Sequence, residues 1–470
     1  MIKKSGNKQV KMMCYTIEEL MPTEHFLRDL DKHINFNFIY EKVEHLYSET
    51  GRPSIDPVVI VKMLLIGYLY GIDSERQLEK EITVNIAYRW FLGIDLDETV
   101  PDHSTLSQLR RRKFKGTEIF RKIFEEIVYR CIEAGLVNGE LLLTDSTHIK
   151  ANVSDAKREL ISVKVEPSAY VKRLNEFALR DGLITETEKV STAGKKEMKE
   201  VTRSTSDPDS GILNRTGKPV GFHYLSHNTV DGNSGIITDV HVTPGNERDS
   251  TPHSERIQYQ INKFGFKTKE VGGDAGYDVG EIHSDMLRIG VKTYIAPIIY
   301  NKSKIDKDVF KPCDFSFDSE TNCYICPNGC ILKYLSYNKT SGMKEYISSK
   351  KDCKNCPSRD KCFSSKSKFR IIVRHFHQTE METQRKNNLT SRYNEIMKKR
   401  QIWCEGNFSH QKARHCLTRA KMRGISKVSE QCLLSACALN LIRLVKTLKY
   451  TALICVFCCF SRFSLSYVKI

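Results

Sequence analysis

Residues 141–153, LLLTDSTHIKANV, decide the fold. Leu141, Leu142 and Leu143 form an apolar run of the kind found in a strand buried on both faces, and the run delivers Asp145 to its polar end. Further on, GKPVGFHYLSHNTVD (217–231) and SGIITDVHVTPGNERDS (234–250) predict two strands. Asp231, Gly232 and Asn233 supply the turn chemistry between them, so an antiparallel hairpin follows. A helix is expected over 250–264, then KEVGGDAGYDVGE (269–281), a helix near 281–289 and a strand in VKTYIAPI (291–298). Strand, hairpin, helix, strand, helix, strand describes a mixed α/β sheet.

Upstream, residues 56–96 place apolar side chains at spacings of three and four, broken by Gly67, Gly71 and Gly93. That pattern predicts short packed helices. In PDHSTLSQLRRRKFKG (101–116), Asp102 or Ser104 caps a helix that runs into Arg110, Arg111, Arg112 and Lys113. A capped helix with a basic end suits phosphate contact, as in helix-turn-helix modules, and a helical packing domain is the alternative. Residues 153–209 carry nearly balanced charge and several helical pieces, which predicts a partly disordered excursion over the surface.

The chain has 470 residues, more than one hydrophobic core usually serves, so several units are expected. We divide it into a helical region (1–135) whose basic helix end is expected to bind DNA, the first part of an α/β core (136–300, with a surface insertion at about 155–210), and a Cys-rich insertion (301–375). The rest of the core (376–447) and a tail (448–470) follow. With 74 Lys plus Arg against 57 Asp plus Glu, the formal charge is +17. A polyanionic partner is implied. Between Gln384 and Lys427 stand twelve basic residues against only Glu395 and Glu405, so this one segment holds ten of the seventeen surplus charges. The start of the chain has no apolar signal core, which points to a cytoplasmic protein with reduced thiols. The tail has only an eleven-residue uncharged run before Arg462, too short to span a bilayer.

A carboxylate at a strand end is costly unless it is paired or bound to a cation. Two brought close repel, and a hard divalent ion such as Mg²⁺ or Mn²⁺ resolves the conflict. Two such ions can activate an attacking oxygen and stabilise a leaving one in displacement at phosphorus. Spacing alone leaves Asp239, Asp249 and Asp278 as competitors to Asp145 and Asp274.

LLLTDSTHIKA, the hairpin blocks, VGGDAGYD and RQIWCEGNFSHQKARHCLTRAKMRG resemble the successive blocks of bacterial insertion-sequence DDE transposases with an RNase H-like core. GRPSIDPVVIVKMLLIGYLYGI through PDHSTLSQLRRR resembles their InsH-like amino-terminal domain, and together the resemblance spans about 21–445. It implies Asp145, Asp274 and Glu405 as the three catalytic, metal-binding acids, separated by 129 and 131 residues. It also implies a homodimer acting on the element's terminal inverted repeats and on target DNA, with no membrane partner.

On a helix, Lys412 lies seven positions beyond Glu405 and returns to within about 20° of it, so both face one groove. The resemblance implies an Arg shortly before the Glu. Here Gln401 holds the nearer position and Arg400 stands about 140° round an ideal helix. Arg400, Lys412 and Arg423 are expected to contact phosphates. His148, His223 and Tyr277 are read as packing residues, because two-metal chemistry needs no side-chain nucleophile.

Between the second and third acids, Cys323-x-x-Cys326 with Cys330 is followed by Cys353-x-x-Cys356 with Cys362. Paired Cys-x-x-Cys turns fit a four-thiolate Zn²⁺ ribbon through Cys323, Cys326, Cys353 and Cys356, with Cys362 as a substitute ligand. The leading reading is a transposase that cleaves DNA and transfers strands. An inactive element-end binder and a metal-dependent nuclease on the same core are the alternatives.

Overall fold

The computed structural model describes residues 14–47, 54–154, 156–164, 169–180, 182, 184–185, 198–215, 217, 220–298, 309–338, 343–362 and 367–466, the last with side chains to 449. Its amino-terminal part is helical: α1 (Ile17–Leu20), α2 (Phe26–His33), α3 (Phe38–Val43), α4 (Pro57–Leu69), α5 (Glu75–Val84), α6 (Ile86–Leu92), α7 (His103–Arg112) and α8 (Ile119–Glu133). Pro57 at the first position of α4 and the Asp56 carboxylate accepting from Val58 N fix that helix's start. Gly93, in the left-handed region, ends α6. Asp102, accepting from Ser104 N at 2.6 Å, caps α7.

The central sheet contains β1 (Leu141–Lys150), β4 (Gly211–Leu213), β5 (Gly221–Asp231), β6 (Ile237–Pro244), β7 (Glu270–Gly273) and β8 (Lys292–Ile295). Its spatial order is β6–β5–β1–β7–β8, and β4 continues the line of β6 beside β5. β5 is antiparallel to β1 and β6, whereas β7 is parallel to β1 and β8 to β7. Three antiparallel strands followed by two parallel ones, with helices α10 (His253–Phe264) and α11 (Gly280–Arg288) as crossovers, is the RNase H-like arrangement.

Alternation along β1 divides the core. Leu142 joins a cluster that also takes in Val271, Ile237, Ile257 and the amino-terminal helices, so the helical region and the sheet share one continuous apolar core. Leu141 and Leu143 point the other way and pack with Val230, Tyr294, Ile396 and Cys404. Asp145 has the parity of that second face. α15 (Ser391–Arg400) lies over it, followed by a π-helical turn (Gln401–Glu405) and α16 (Gly406–Arg414). α17 (Ile425–Ser466) packs against α8, β6 and α4. Among the described residues only the stretch Ile425–Lys449 is long and apolar enough to cross a membrane, and 83% of its apolar window is buried inside the protein.

β2 (Arg158–Lys164) and β3 (Met198–Ser204) form an antiparallel ribbon, and α9 (Ala169–Arg180) lies between them in sequence. About a third of the segment expected to be partly disordered lies outside the described residues. The Cys-rich insertion is a second, five-stranded antiparallel sheet in the order β13–β12–β11–β10–β9. Its strands are β9 (Ser316–Asp318), β10 (Cys323–Ile325), β11 (Ile331–Asn338), β12 (Met343–Ser348) and β13 (Ile371–His375). The short helices α12 (Lys350–Lys354) and α13 (Arg359–Cys362) precede the last strand, and α14 (Gln378–Arg385) returns the chain to the core.

Candidate active site

β1 does not end at Asp145, as the apolar run suggested, but continues to Lys150. What ends there is its parallel partner. Leu143 is level with Gly272, so two residues on, Asp145 is level with Asp274, the first residue after β7. The two carboxylates thus share the mouth of one sheet, at the carboxyl edge of adjacent parallel strands. Asp274 caps a 3₁₀ turn over Ala275–Tyr277, its Oδ1 accepting from Gly276 N at 2.9 Å. That bond holds its backbone still.

Gly272 sets the height of the third element. A Cβ there would lie 2.7 Å from Ile396 Cγ2 and 2.8 Å from Leu143 Cδ2, so only glycine lets α15 settle onto the strand. The π turn then corrects the angular estimate for an ideal helix. Its hydrogen bonds span five residues, which brings Arg400 and Glu405 onto one face. Arg400 Nη2 donates to Glu405 Oε1 at 3.2 Å and Nη1 to Asp145 Oδ2 at 2.9 Å. Trp403, on the same turn, lies against Gly235 at the tip of the β5–β6 hairpin, where a Cβ would come 2.2 Å from its ring.

One open cavity of about 680 Å³ is lined by Asp145, Asp274, Glu405, Arg400 and Lys412, together with His148, His223, Lys150 and Arg215. Burial pushes the Asp145 carboxyl up to about 6; Arg400 opposes the rise, and Asp274 and Glu405 add to it. A buried carboxylate facing two others in a solvent-open cavity is a set of hard oxygen donors, which fits a divalent cation of the Mg²⁺ type.

The competing aspartates separate on geometry. Asp239 is committed to Arg121 at 2.8 Å and Arg256 at 2.6 Å. Asp278 is held by Arg385 at 2.6 Å and His283 at 3.0 Å; burial works against its charge, but these bonds and Ile298 N bring the carboxyl down to about 2. Asp249 instead faces the cavity. It accepts from Ser146 Oγ at 2.7 Å and from Arg215 Nη1 at 2.8 Å, and although burial opposes ionisation, these two bonds keep its carboxyl below the usual range. The sequence offers Asp249 only as a rival to the acids and gives no signal for Arg215, which arrives from the stretch just after β4.

Family comparison agrees with the strand order. The model described as "Transposase domain (DUF772)" matches residues 15–112, and the one described as "Transposase DDE domain" matches residues 325–445. Both models are of transposases and the second is of the DDE type, so the DDE transposases are the family that these two stretches match. The DDE match includes Glu405 and lies beyond Asp145 and Asp274. No curated protein matches the chain. Among solved structures, a piggyBac transposase synaptic complex with hairpin DNA is 10% identical at a TM-score of 0.35, covering 92% of this chain and 74% of that one. A Mos1 transposase paired-end complex is 9% identical at a TM-score of 0.16, covering 53% and 61%. Scores so low add nothing to the fold assignment, which stands on topology. The family implies use of divalent metal.

The transposase's other expected contact residues are placed unevenly. Arg111 and Arg112 are exposed at the end of α7. Arg110 is not: it is enclosed between Glu75 and Glu430, where the pair charges it inside the protein and takes it away from a DNA-facing surface. Lys113 donates to Leu46 O at 3.0 Å and sits over the Tyr47 ring. Arg423 is exposed and donates to Asn152 O at 2.9 Å. His148 and His223 line the cavity with their rings 6.3 Å apart, and Tyr277 is fully buried, its phenol pushed well up by burial and the nearby acids.

The cysteines of the insertion do not group as the two Cys-x-x-Cys turns suggested. Cys323 lies on β10 with its Sγ 2.9 Å from Thr321 Oγ, whereas Cys326 packs in the cluster that contains Cys362. Among the described residues no three cysteine sulfurs lie within 4.8 Å of one another.

Proposed function

We propose that this transposase binds the ends of an insertion sequence, cleaves DNA to expose 3′-hydroxyls and joins them to a target, with Asp145, Asp274 and Glu405 as its metal-holding acids. The observation that carries the reading is the convergence of three carboxylates, 129 and 131 residues apart in sequence, on one open cavity that Lys150, Arg215, Arg400 and Lys412 also line. When bound there, a pair of Mg²⁺ or Mn²⁺ ions supplies Lewis-acid activation of the attacking oxygen and stabilisation of the leaving one.

The chain's own residues do the rest. Arg400 neutralises the acids before DNA arrives and is a ready phosphate contact once they are otherwise satisfied. Lys412, Lys150 and Arg215 line the approach for the sugar–phosphate backbone. Arg111, Arg112 and Arg423 extend the positive surface. Two element ends must be handled together, so the working form is a homodimer on DNA.

The test incubates purified protein with element-end DNA and Mg²⁺ or Mn²⁺, comparing wild type with Asp145→Ala, Asp274→Ala and Glu405→Ala. Cleaved and joined products lost in all three variants support the reading. Binding without cleavage would indicate an inactive end-binder. Cleavage without joining would indicate a nuclease, and an active Asp274→Ala protein would overturn the acid assignment.

A further inference from the structure

The Cys-rich insertion has too little apolar interior for its size. Its sheet of five strands encloses Phe315, Tyr324, Leu332, Tyr346, Cys362 and Ile372 as buried members of its cluster, and the charged side chain of Arg374 is buried beside them. Units of this size usually need a cross-link, through disulfides or a metal. No disulfide is formed among the described cysteines.

Five cysteines, Cys326, Cys330, Cys353, Cys356 and Cys362, stand at one end of this sheet. Cys326 turns back on itself: Cys326 N donates to Cys330 O at 2.9 Å, Gly329 N to Cys326 O at 2.8 Å and Cys330 N to Cys326 Sγ at 3.2 Å. Asn328, inside that turn, reaches across to donate to Cys356 Sγ at 3.0 Å and accepts from Ser358 Oγ at 3.3 Å. The turn around Cys326 and the turn around Cys356 are therefore docked to one another. α12 carries the buried Cys353 and α13 the buried Cys362, and Cys362 shares an apolar cluster with Cys326. Cys323 is not among them, because its place on β10 turns it toward Thr321.

We propose that Cys326, Cys353, Cys356 and Cys362 form a structural Zn²⁺ site that holds the insertion's sheet to its two short helices, with Cys362 in the position that sequence spacing assigned to Cys323. Four thiolates around Zn²⁺ at about 2.3 Å require sulfurs roughly 3.8 Å apart, so the ion draws the thiols together from their present spread. Soft thiolate donors in a closed tetrahedral set favour Zn²⁺ over the hard cations suited to the carboxylate cavity. Ligand and fold are then linked, since the binding energy of the ion becomes stability of the insertion. This inference does not depend on the catalytic reading.

Metal content of the dialysed full-length protein tests it. Wild type is expected to hold one zinc per chain, retained in Cys323→Ser and Cys330→Ser and lost in Cys326→Ser and Cys362→Ser. Wild type without stoichiometric zinc, iron in its place, retention in Cys362→Ser or loss in Cys323→Ser would each overturn the assignment. Because a serine variant can lose metal by unfolding, cobalt(II) substitution of the wild type gives an independent measure. Absorption characteristic of four thiolates in a tetrahedral field supports the site, and a spectrum with fewer thiolates sinks it.

Discussion

Arg400 and Glu405 stand five residues apart and meet at 3.2 Å because the chain between them is wound as a π turn. The same guanidinium reaches Asp145 at 2.9 Å. One side chain thus couples the first and third acids. Arg400→Ala is expected to lower cleavage on the order of 100-fold, in the range found when one preorganised donor is removed from an active site. Arg400→Lys should recover only part of this, since a single ammonium cannot reproduce the two-pronged contact. Single-turnover cleavage assays at saturating metal measure both, and an Arg400→Ala protein with wild-type turnover would contradict the role.

The raised Asp145 carboxyl has a defined pH signature. Its folded value, about 6, exceeds the ordinary value of about 3.9, so the folded state holds the extra proton between them. In metal-free protein the contribution of this group to stability is therefore fully present below about pH 4 and is lost as pH rises through about 6. Metal binding needs the carboxylate, so at limiting Mg²⁺ cleavage should fall as pH drops through about 6. Thermal melts of metal-free wild type and Asp145→Asn across this window check the first statement, with the variant expected to show the flatter profile.

Gly272 is predicted to be intolerant of any side chain. Gly272→Ala should cost about 1–3 kcal/mol from overpacking against Ile396 and Leu143. Activity should fall further than stability accounts for, because the displaced α15 carries Arg400. Urea denaturation and cleavage assays on Gly272→Ala, alone and with Ile396→Ala, separate the two effects, and the double variant should regain part of both.

Asp249→Asn should keep the fold while lowering cleavage roughly tenfold, since it weakens charge-assisted bonds to Ser146 and Arg215 worth about 1.5–3 kcal/mol each. Ser146→Ala is expected to have the smaller effect, because Arg215 remains paired. A metal titration of cleavage is the informative readout. Unchanged turnover in Asp249→Asn would show that this carboxylate only braces the loop.

Neighbouring arginines on α7 should behave oppositely. Arg110→Met leaves Glu430 buried without its partner and is expected to destabilise the protein by about 3–5 kcal/mol. Arg111→Ala with Arg112→Ala should leave stability within about 0.5 kcal/mol. If both contact phosphate, the slope of log affinity against log salt should lessen by about two. Melting curves and DNA binding at several salt concentrations distinguish the pair.

Much of the central sheet was legible because local rules and tertiary packing agree there. Leu141–Leu143 form the buried strand that their apolarity predicts, and Asp231 to Asn233 form the expected hairpin turn. The placement of Asp145 within its strand was not legible, since periodicity registers the apolar run and is blind to where a neighbouring strand stops. Helix periodicity linked Glu405 to Lys412, and both line the cavity. It missed Arg400, because an ideal 100° rotation per residue cannot foresee an inserted residue in a helical turn. Charge counting saw Arg110 to Lys113 as one basic run, yet Glu75 and Glu430, remote in sequence, remove the first of them from the surface. The Cys-x-x-Cys spacing points to the insertion's thiols, but it is blind to strand direction, which turns Cys323 toward Thr321.

The far end of β1 is closed by residues from near the other terminus: Lys150 N donates to Thr418 O at 3.0 Å, and Ala420 N donates to Lys150 O at 2.8 Å. The strand that carries the first acid therefore waits for a partner made some 270 residues later, after Glu405 itself. During synthesis the cavity is therefore assembled late, and a chain cut short just before this segment has all three acids and no closed site. Incomplete products of translation would lack a closed cavity for cutting DNA, an ordering in time that the topology of a single strand imposes.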